Sequence, residues 1–140
     1  MKVRVTQRYS ATPERVFDAW LDRKTVGRWL FATAWRPMSC VEMVARKGGP
    51  YRLADGKGAE YTGRYIEMVR PRRLVFTLVM ENSPRVVTRV NAEIVPLETG
   101  CELRLVHENV PAVQASRVEN RWTGMLYGLG ETLKKASADD

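Results

Sequence analysis

The chain of 140 residues has only two cysteines and one histidine, so it is poor in the side chains that bind metals or cross-link small folds. Cys40 and Cys101 lie far apart and form no CxxC pair, which excludes a disulfide scaffold and a structural zinc site. No apolar run approaches the roughly 18 residues of a membrane helix, and the alternating start has no apolar signal core. We therefore expect a cytoplasmic protein without membrane insertion, metal or cofactor.

Acidic residues are outnumbered, since 23 Lys+Arg stand against 16 Asp+Glu and give a formal net charge of +7. A basic protein attracts polyanions through electrostatics that do not depend on sequence. Here the positive charges are dispersed, and the densest cluster, at residues 70–73, is interrupted by Pro71 as in a turn. The chain also has no zinc-finger, basic-zipper or RNA-recognition motif, and no P-loop, GxSxG, HExxH or dinucleotide fingerprint. We therefore expect solvated basic loops and no nucleic-acid partner.

The first third of the sequence predicts one strand and two short helices. Residues 2–10 alternate in polarity, as a strand does. Thr12 is a suitable N-cap with Pro13 at the first helical position, and Asp22 can cap a second short helix that carries Val26, Trp29 and Leu30. The loop that follows, over residues 31–39, is rich in large apolar side chains.

The middle of the sequence predicts six further strands that form an antiparallel meander. Turn signals such as Lys47-Gly48-Gly49-Pro50 and Asp55-Gly56-Lys57-Gly58 separate these strands. Gly63 lies inside the strand over residues 60–69 and predicts a bulge or bend there. The predicted strands cover residues 41–46, 51–53, 60–69, 74–80, 86–95 and 101–107.

The last third predicts one long helix over residues 112–136. Its apolar stripe would need a concave partner, and a curved sheet that wraps around it would leave an apolar cavity between the two. The predicted fold is therefore α+β, with about seven antiparallel strands around the C-terminal helix, in one domain over residues 1–140. The stripe consists of Val118, Trp122, Met125, Leu126, Leu129 and Leu133.

Strand alternation predicts which side chains point at this helix. In the strand over residues 86–95 the even-numbered residues form the apolar face, and in residues 101–107 the odd-numbered ones do. The strand over residues 74–80 stays ambiguous, because both of its faces are apolar.

An ordered set of motifs runs from about residue 3 to residue 134. These motifs are Ala11-Thr12-Pro13-Glu14-Arg15-Val16-Phe17-Asp18-Ala19-Trp20, Arg28-Trp29, Gly48-Gly49 with Tyr51, Gly63 with Ile66-Glu67, Pro71-Arg72-Arg73-Leu74-Val75-Phe76-Thr77, Cys101 to His107, and Trp122 with Leu126 and Leu129. The set resembles domains related to the activator of the heat-shock-protein-90 ATPase. That resemblance implies the helix-grip fold of the START and birch-allergen superfamily, whose members bind lipids, sterols or polyketides and include some cyclases. It also favours Thr77 pointing toward the cavity.

Three positions depart from the pattern of that family. Residues 29–32 read Trp-Leu-Phe-Ala where the family often has Trp-Trp-Gly-Pro, and Val44 stands where the family often has Asp. Arg121 occupies the position before the helix tryptophan, where the family usually has Gly. These departures fall partly at the predicted mouth of the cavity, so the ligand cannot be transferred from the family.

The leading hypothesis is a non-enzymatic module that binds a small hydrophobic or amphipathic ligand between sheet and helix. His107 or Thr77 would supply a polar anchor. A second hypothesis is a cofactor-free cyclase or hydrolase on an aromatic or polyketide-like substrate, with His107 or Glu67 as its acid or base. A third, by family analogy alone, is a partner of a heat-shock ATPase; the oligomeric state stays open. The predicted apolar lining consists of Trp29, Phe31, Trp35, Thr88, Val90, Leu103, Leu105, Trp122 and Met125.

Overall fold

In a computed structural model that describes residues 1–32, 36–80 and 83–138, the chain begins with one strand and two short helices. Both predicted caps are present: the Thr12 hydroxyl accepts a hydrogen bond from the backbone N–H of Arg15 at 3.3 Å, and Asp22 accepts one from Lys24 at 3.0 Å. The second helix is shorter than the sequence predicts, so Trp29 lies in turns beyond it. These elements are β1 (Val3–Tyr9), α1 (Pro13–Asp18) and α2 (Arg23–Val26).

Six more strands follow and join β1 in one seven-stranded sheet, in which every neighbouring pair is antiparallel. The order across the sheet is β1-β7-β6-β5-β4-β3-β2, so the first strand pairs with the last. The α+β fold predicted from the sequence is confirmed. The strands are β2 (Cys40–Met43), β3 (Pro50–Ala54), β4 (Glu60–Val69), β5 (Arg73–Met80), β6 (Ser83–Pro96) and β7 (Cys101–Glu108).

Strand β4 carries an irregularity near Gly63, as its sequence predicts. The register between β4 and β5 shifts between Tyr65 and Glu67. The Thr77 carbonyl approaches Gly63 so closely that a β-carbon there would collide with it, and the Tyr51 hydroxyl donates to the same carbonyl at 2.6 Å. Glycine is therefore required at this position by the close approach of the neighbouring strand.

A 3₁₀ turn (Ala112–Gln114) leads into helix α3 (Ala115–Ala138), which packs its apolar stripe against the sheet. The Tyr9 hydroxyl of β1 donates to the Leu126 carbonyl at 2.7 Å, and its ring would lie 3.3 Å from a β-carbon at Gly130. The small residue thus lets the edge strand approach the helix. Within the described part of the chain, no helix is long and apolar enough to cross a membrane.

Tryptophans fill much of the space between helix and sheet. The ring of Trp20 meets that of Trp29 edge-on at 4.6 Å, and it lies 5.9 Å from Phe76 and 6.1 Å from Trp122. All four side chains are buried. We call this group the tryptophan cluster; it occupies space that the sequence assigned to a cavity.

Candidate ligand-binding site

A cleft opens beside the tryptophan cluster, between the first half of α3 and the ends of strands β4 and β5. Its inner part has a volume of about 40 Å³, and its wall is mostly apolar. Such a wall with a few polar groups is typical of sites for small organic molecules. The lining residues are Phe31, Tyr61, Leu78, Val79, His107, Gln114, Arg117, Val118, Arg121, Trp122 and Met125.

Phe31 forms the wall of the cleft and has an unusual backbone. Its φ of 58° lies in the left-handed region, which a bulky side chain rarely adopts. Its ring stacks on Tyr61 with centroids 4.4 Å apart and meets Trp122 edge-on at 6.2 Å. Its backbone N–H donates to the sulfur of Met125 at 3.0 Å, and sulfur is a weak acceptor. The ring thus lies in the cleft on a backbone with a strained φ.

His107 lies at the inner end of the cleft, and its hydrogen bonds determine its tautomer. The Thr88 hydroxyl uses its single proton on the Leu78 carbonyl at 2.7 Å, so its oxygen can only accept from His107 Nε2 at 2.7 Å. The Trp122 indole N–H donates to His107 Nδ1 at 3.0 Å. The imidazole is therefore neutral, with its proton on Nε2.

Burial gives the same protonation state. His107 is 1% exposed, and the loss of solvation lowers its pKa from 6.5 to about 4. A proton on Nδ1 would also point at the indole N–H of Trp122. The one nitrogen that could accept a proton, Nδ1, already accepts from Trp122. His107 therefore positions Trp122 and is not available as a general base at neutral pH.

Two arginines lie at the outer rim of the cleft. Arg121 Nη2 donates to the Tyr61 hydroxyl at 2.6 Å, and its guanidinium carbon lies 5.5 Å from the centroid of the same ring. Arg117 lies one turn earlier on the helix and is exposed. Gln114 extends this polar row toward the start of α3, while Val118 faces the interior.

The structure brings some of the predicted site residues to the cleft and leaves others away from it. Phe31, His107, Trp122 and Met125 line it. Thr88, Val90, Leu103 and Leu105 point inward as alternation predicts, but they are packed in the core. Trp29 is also packed in the core, where it donates its indole N–H to the Ala19 carbonyl at 3.1 Å. Trp35 lies outside the described residues.

The expected orientation of Thr77 is wrong. Strand β5 pairs with β6 so that Thr77 is opposite the exposed Arg89, while Leu78 is opposite the buried Thr88. Thr77 therefore lies on the face of the sheet away from the helix, where its hydroxyl accepts from the Arg64 backbone N–H at 2.9 Å. Both faces of this strand are apolar, so hydropathy could not decide between them.

The sequence reasoning missed the rim of the cleft. Gln114, Arg117 and Arg121 recur at helical spacing beside the apolar stripe, and this spacing was the available signal. Nothing local pointed to Tyr61, which lies 60 residues before its partner Arg121.

A larger groove of about 460 Å³ lies between β1 and the second half of α3, outside the space between helix and sheet. The charged side chains of Arg8, Arg15, Glu131 and Lys134 line its wall, and all four already bond to protein groups. This groove does not fit an apolar ligand. Among the described residues, no group of three or more His, Cys, Asp or Glu side chains could hold a metal ion.

A curved antiparallel sheet closed by a long C-terminal helix, with a cleft between them, defines the chain as a helix-grip protein. The chain belongs to the family described as "Activator of Hsp90 ATPase homolog 1-like protein", whose model matches residues 10–134. Comparison with curated protein sequences found no match.

Solved structures show the same fold over nearly the whole chain. Protein CV1439 from Chromobacterium violaceum is 27% identical, with a TM-score of 0.81, and the match covers 93% of this chain and 94% of that one. The Aha1 dimer from Colwellia psychrerythraea is 13% identical, with a TM-score of 0.81 and coverage of 95% and 96%. DynU16, a protein in the dynemicin biosynthetic locus, is 17% identical, with a TM-score of 0.77 and coverage of 96% of this chain and 48% of that one.

Proposed function

We propose that the protein binds a small hydrophobic or amphipathic molecule in the cleft beside the tryptophan cluster. The observation that carries this proposal is the mostly apolar wall of the cleft, which is formed jointly by α3 and the sheet and is open at its outer end. The fold supports it, because the space between sheet and helix is the natural interior site of this architecture.

Binding requires the cleft to enlarge. Sites for small organic ligands usually have volumes of about 300–1,000 Å³, whereas the inner part of this cleft measures about 40 Å³. The Phe31 ring is the group whose movement would make room, since it lines the cleft and meets the Trp122 ring edge-on at 6.2 Å. The ligand would take the place of this ring against Tyr61.

The backbone of Phe31 favours such a movement. A non-glycine residue in the left-handed region carries a strain on the order of 1–2 kcal/mol. Among the described residues, a weak N–H to sulfur bond joins this backbone to α3. An incoming ligand can therefore recover part of the free energy of displacing the ring.

The two other hypotheses receive less support. A cofactor-free enzyme would need a free acid or base, but both ring nitrogens of His107 are hydrogen-bonded, and Glu67 lies 3.7 Å from Arg73 with both side chains partly exposed. Partnership with a heat-shock ATPase rests on the family description, and fold does not determine function. The occurrence of DynU16 in a biosynthetic locus is consistent with a ligand-binding role.

Native mass spectrometry of the purified protein, followed by NMR titration with a panel of small aromatic compounds, tests the proposal. We expect shift changes at Phe31, Trp122 and Met125, and stronger binding by Phe31→Gly, which removes the ring and its strain. Leu30→Ala is the matched control, because Leu30 is the buried neighbour of Phe31 and does not line the cleft. No binding by either the native protein or Phe31→Gly would refute the proposal, as would shifts confined to the polar groove around Tyr127 and Gly130.

A further inference from the structure

We infer that the ligand of this cleft carries a carboxylate next to an aromatic ring. The inference rests on the proposed function and adds the chemical class of the ligand. The carboxylate would bind at the rim, between Arg117 and Arg121, and the ring would lie against Tyr61 where the Phe31 ring now stacks.

The charge of the rim is the first support. Both charged side chains of the described lining are arginines, and they stand one helical turn apart, so both can reach the same small group. A guanidinium is planar and offers several N–H donors that match the two oxygens of a carboxylate. Arg121 is already positioned by its bond to the Tyr61 hydroxyl.

The end of helix α3 is the second support. Arg117, on the rim, lies in the first turn of this long helix, where the aligned peptide dipoles favour an anion. The first turn of α3 contains no acidic residue, so no carboxylate from that turn compensates the dipole. Arg117 lies within two residues of the start of the helix and adds its charge to the same place.

The third support is that Tyr61 contacts both the Arg121 guanidinium and the ring of Phe31. Tyr61 accepts a hydrogen bond from Arg121 and stacks with Phe31 at 4.4 Å, so one side chain contacts both the cationic rim and the proposed ring position. A ligand that replaces Phe31 would therefore stack on the same tyrosine whose hydroxyl accepts from Arg121. A carboxylate attached directly to the ring, or through a short link, fits this arrangement.

The test compares 2-naphthoate with 2-naphthamide, which have the same shape but differ in charge. We expect the carboxylate to bind about tenfold more tightly in calorimetric titrations, which is the ratio that one charge-assisted interaction of ordinary strength provides. Its advantage should shrink as salt rises, because an exposed rim is screened, while amide binding should change little.

Arg117→Gln should remove most of this advantage, so that the variant binds 2-naphthoate and 2-naphthamide with similar affinities. Arg121→Lys keeps the charge but loses the planar donor pair, and should weaken the carboxylate selectively. Arg4→Gln is the matched control: it removes the same charge from an exposed position on β1, whose neighbour Val3 is buried on the opposite face.

The two proposals fail in different ways. If both compounds bind equally and Arg117→Gln behaves as Arg4→Gln does, the inference about the carboxylate is wrong and the binding site stands. If neither compound binds to the native protein or to Phe31→Gly, the proposed function is wrong and the inference falls with it.

Discussion

The space between helix and sheet has two regions that differ in packing. In the tryptophan cluster, large rings meet one another at close range and leave little free volume. In the cleft, Phe31 stacks on Tyr61, meets Trp122 edge-on and has a strained backbone whose N–H donates to a sulfur atom. The same apolar stripe of α3 contributes to both regions. The cluster therefore stabilises the fold, whereas the cleft is the region where we propose that a side chain moves.

Of these variants, Trp29→Ala should lower the free energy of unfolding the most. It removes a buried ring that packs on Trp20 at 4.6 Å, and such truncations lower the free energy of unfolding by about 3–5 kcal/mol. Urea denaturation measures the loss. Tyr127→Ala, at a side chain that is 64% exposed, is the control and should change stability by less than about 0.5 kcal/mol. A loss below about 1 kcal/mol for Trp29→Ala would contradict tight packing of the cluster.

Acid should lower the free energy of unfolding through His107, which lines the cleft and bonds to Trp122 of the tryptophan cluster. Burial lowers the pKa of His107 from 6.5 to about 4. Between pH 6.5 and about pH 4 His107 is therefore protonated in the unfolded chain and neutral in the native protein. Stability should therefore fall as the pH drops through this window, by up to about 3 kcal/mol, and this contribution should be constant below it. Denaturation midpoints of the native protein and of His107→Gln, measured from pH 7 to pH 4, isolate the effect. Parallel curves for the two proteins would show that His107 does not titrate in this way.

A smaller difference in the free energy of unfolding should separate Phe31→Gly from Phe31→Ala. Neither variant has the ring, so their difference reports the backbone alone. Because φ is 58°, Phe31→Gly should be more stable than Phe31→Ala by about 0.5–1 kcal/mol, which reverses the usual order. At Leu30, which is not among the described residues with positive φ, the alanine variant should be more stable than the glycine variant. Equal stabilities of the two Phe31 variants would show that this backbone is not strained, so that strain would not favour movement of the ring.

Much of the fold could be predicted because its signals are local. Thr12 and Asp22 cap their helices through neighbours two or three residues away, and alternation gave the inward faces of β6 and β7. Alternation failed in β5, where a polar Thr77 stands in a strand that is apolar on both faces. There the register with β6 decides, and the sequence does not contain it.

The candidate site was less predictable, because it depends on contacts between distant segments. Trp29 is an aromatic residue in a suitable position, but the early end of α2 turns it into the cluster. Arg121 and Tyr61 meet only after the sheet has curved around the helix. The apolar pattern therefore predicts the interior as a whole, while its division into a filled and an open region follows from tertiary packing.

The hydrogen bond from Trp122 to His107 gives the molecule a built-in spectroscopic reporter. An indole proton bound to an imidazole nitrogen at 3.0 Å is deshielded, whereas the buried indole proton of Trp20 has no partner among the described residues. The two resonances should consequently separate in a proton–nitrogen spectrum. A guest in the cleft would shift the first and leave the second nearly in place, so occupancy can be followed from one peak without a label on the guest.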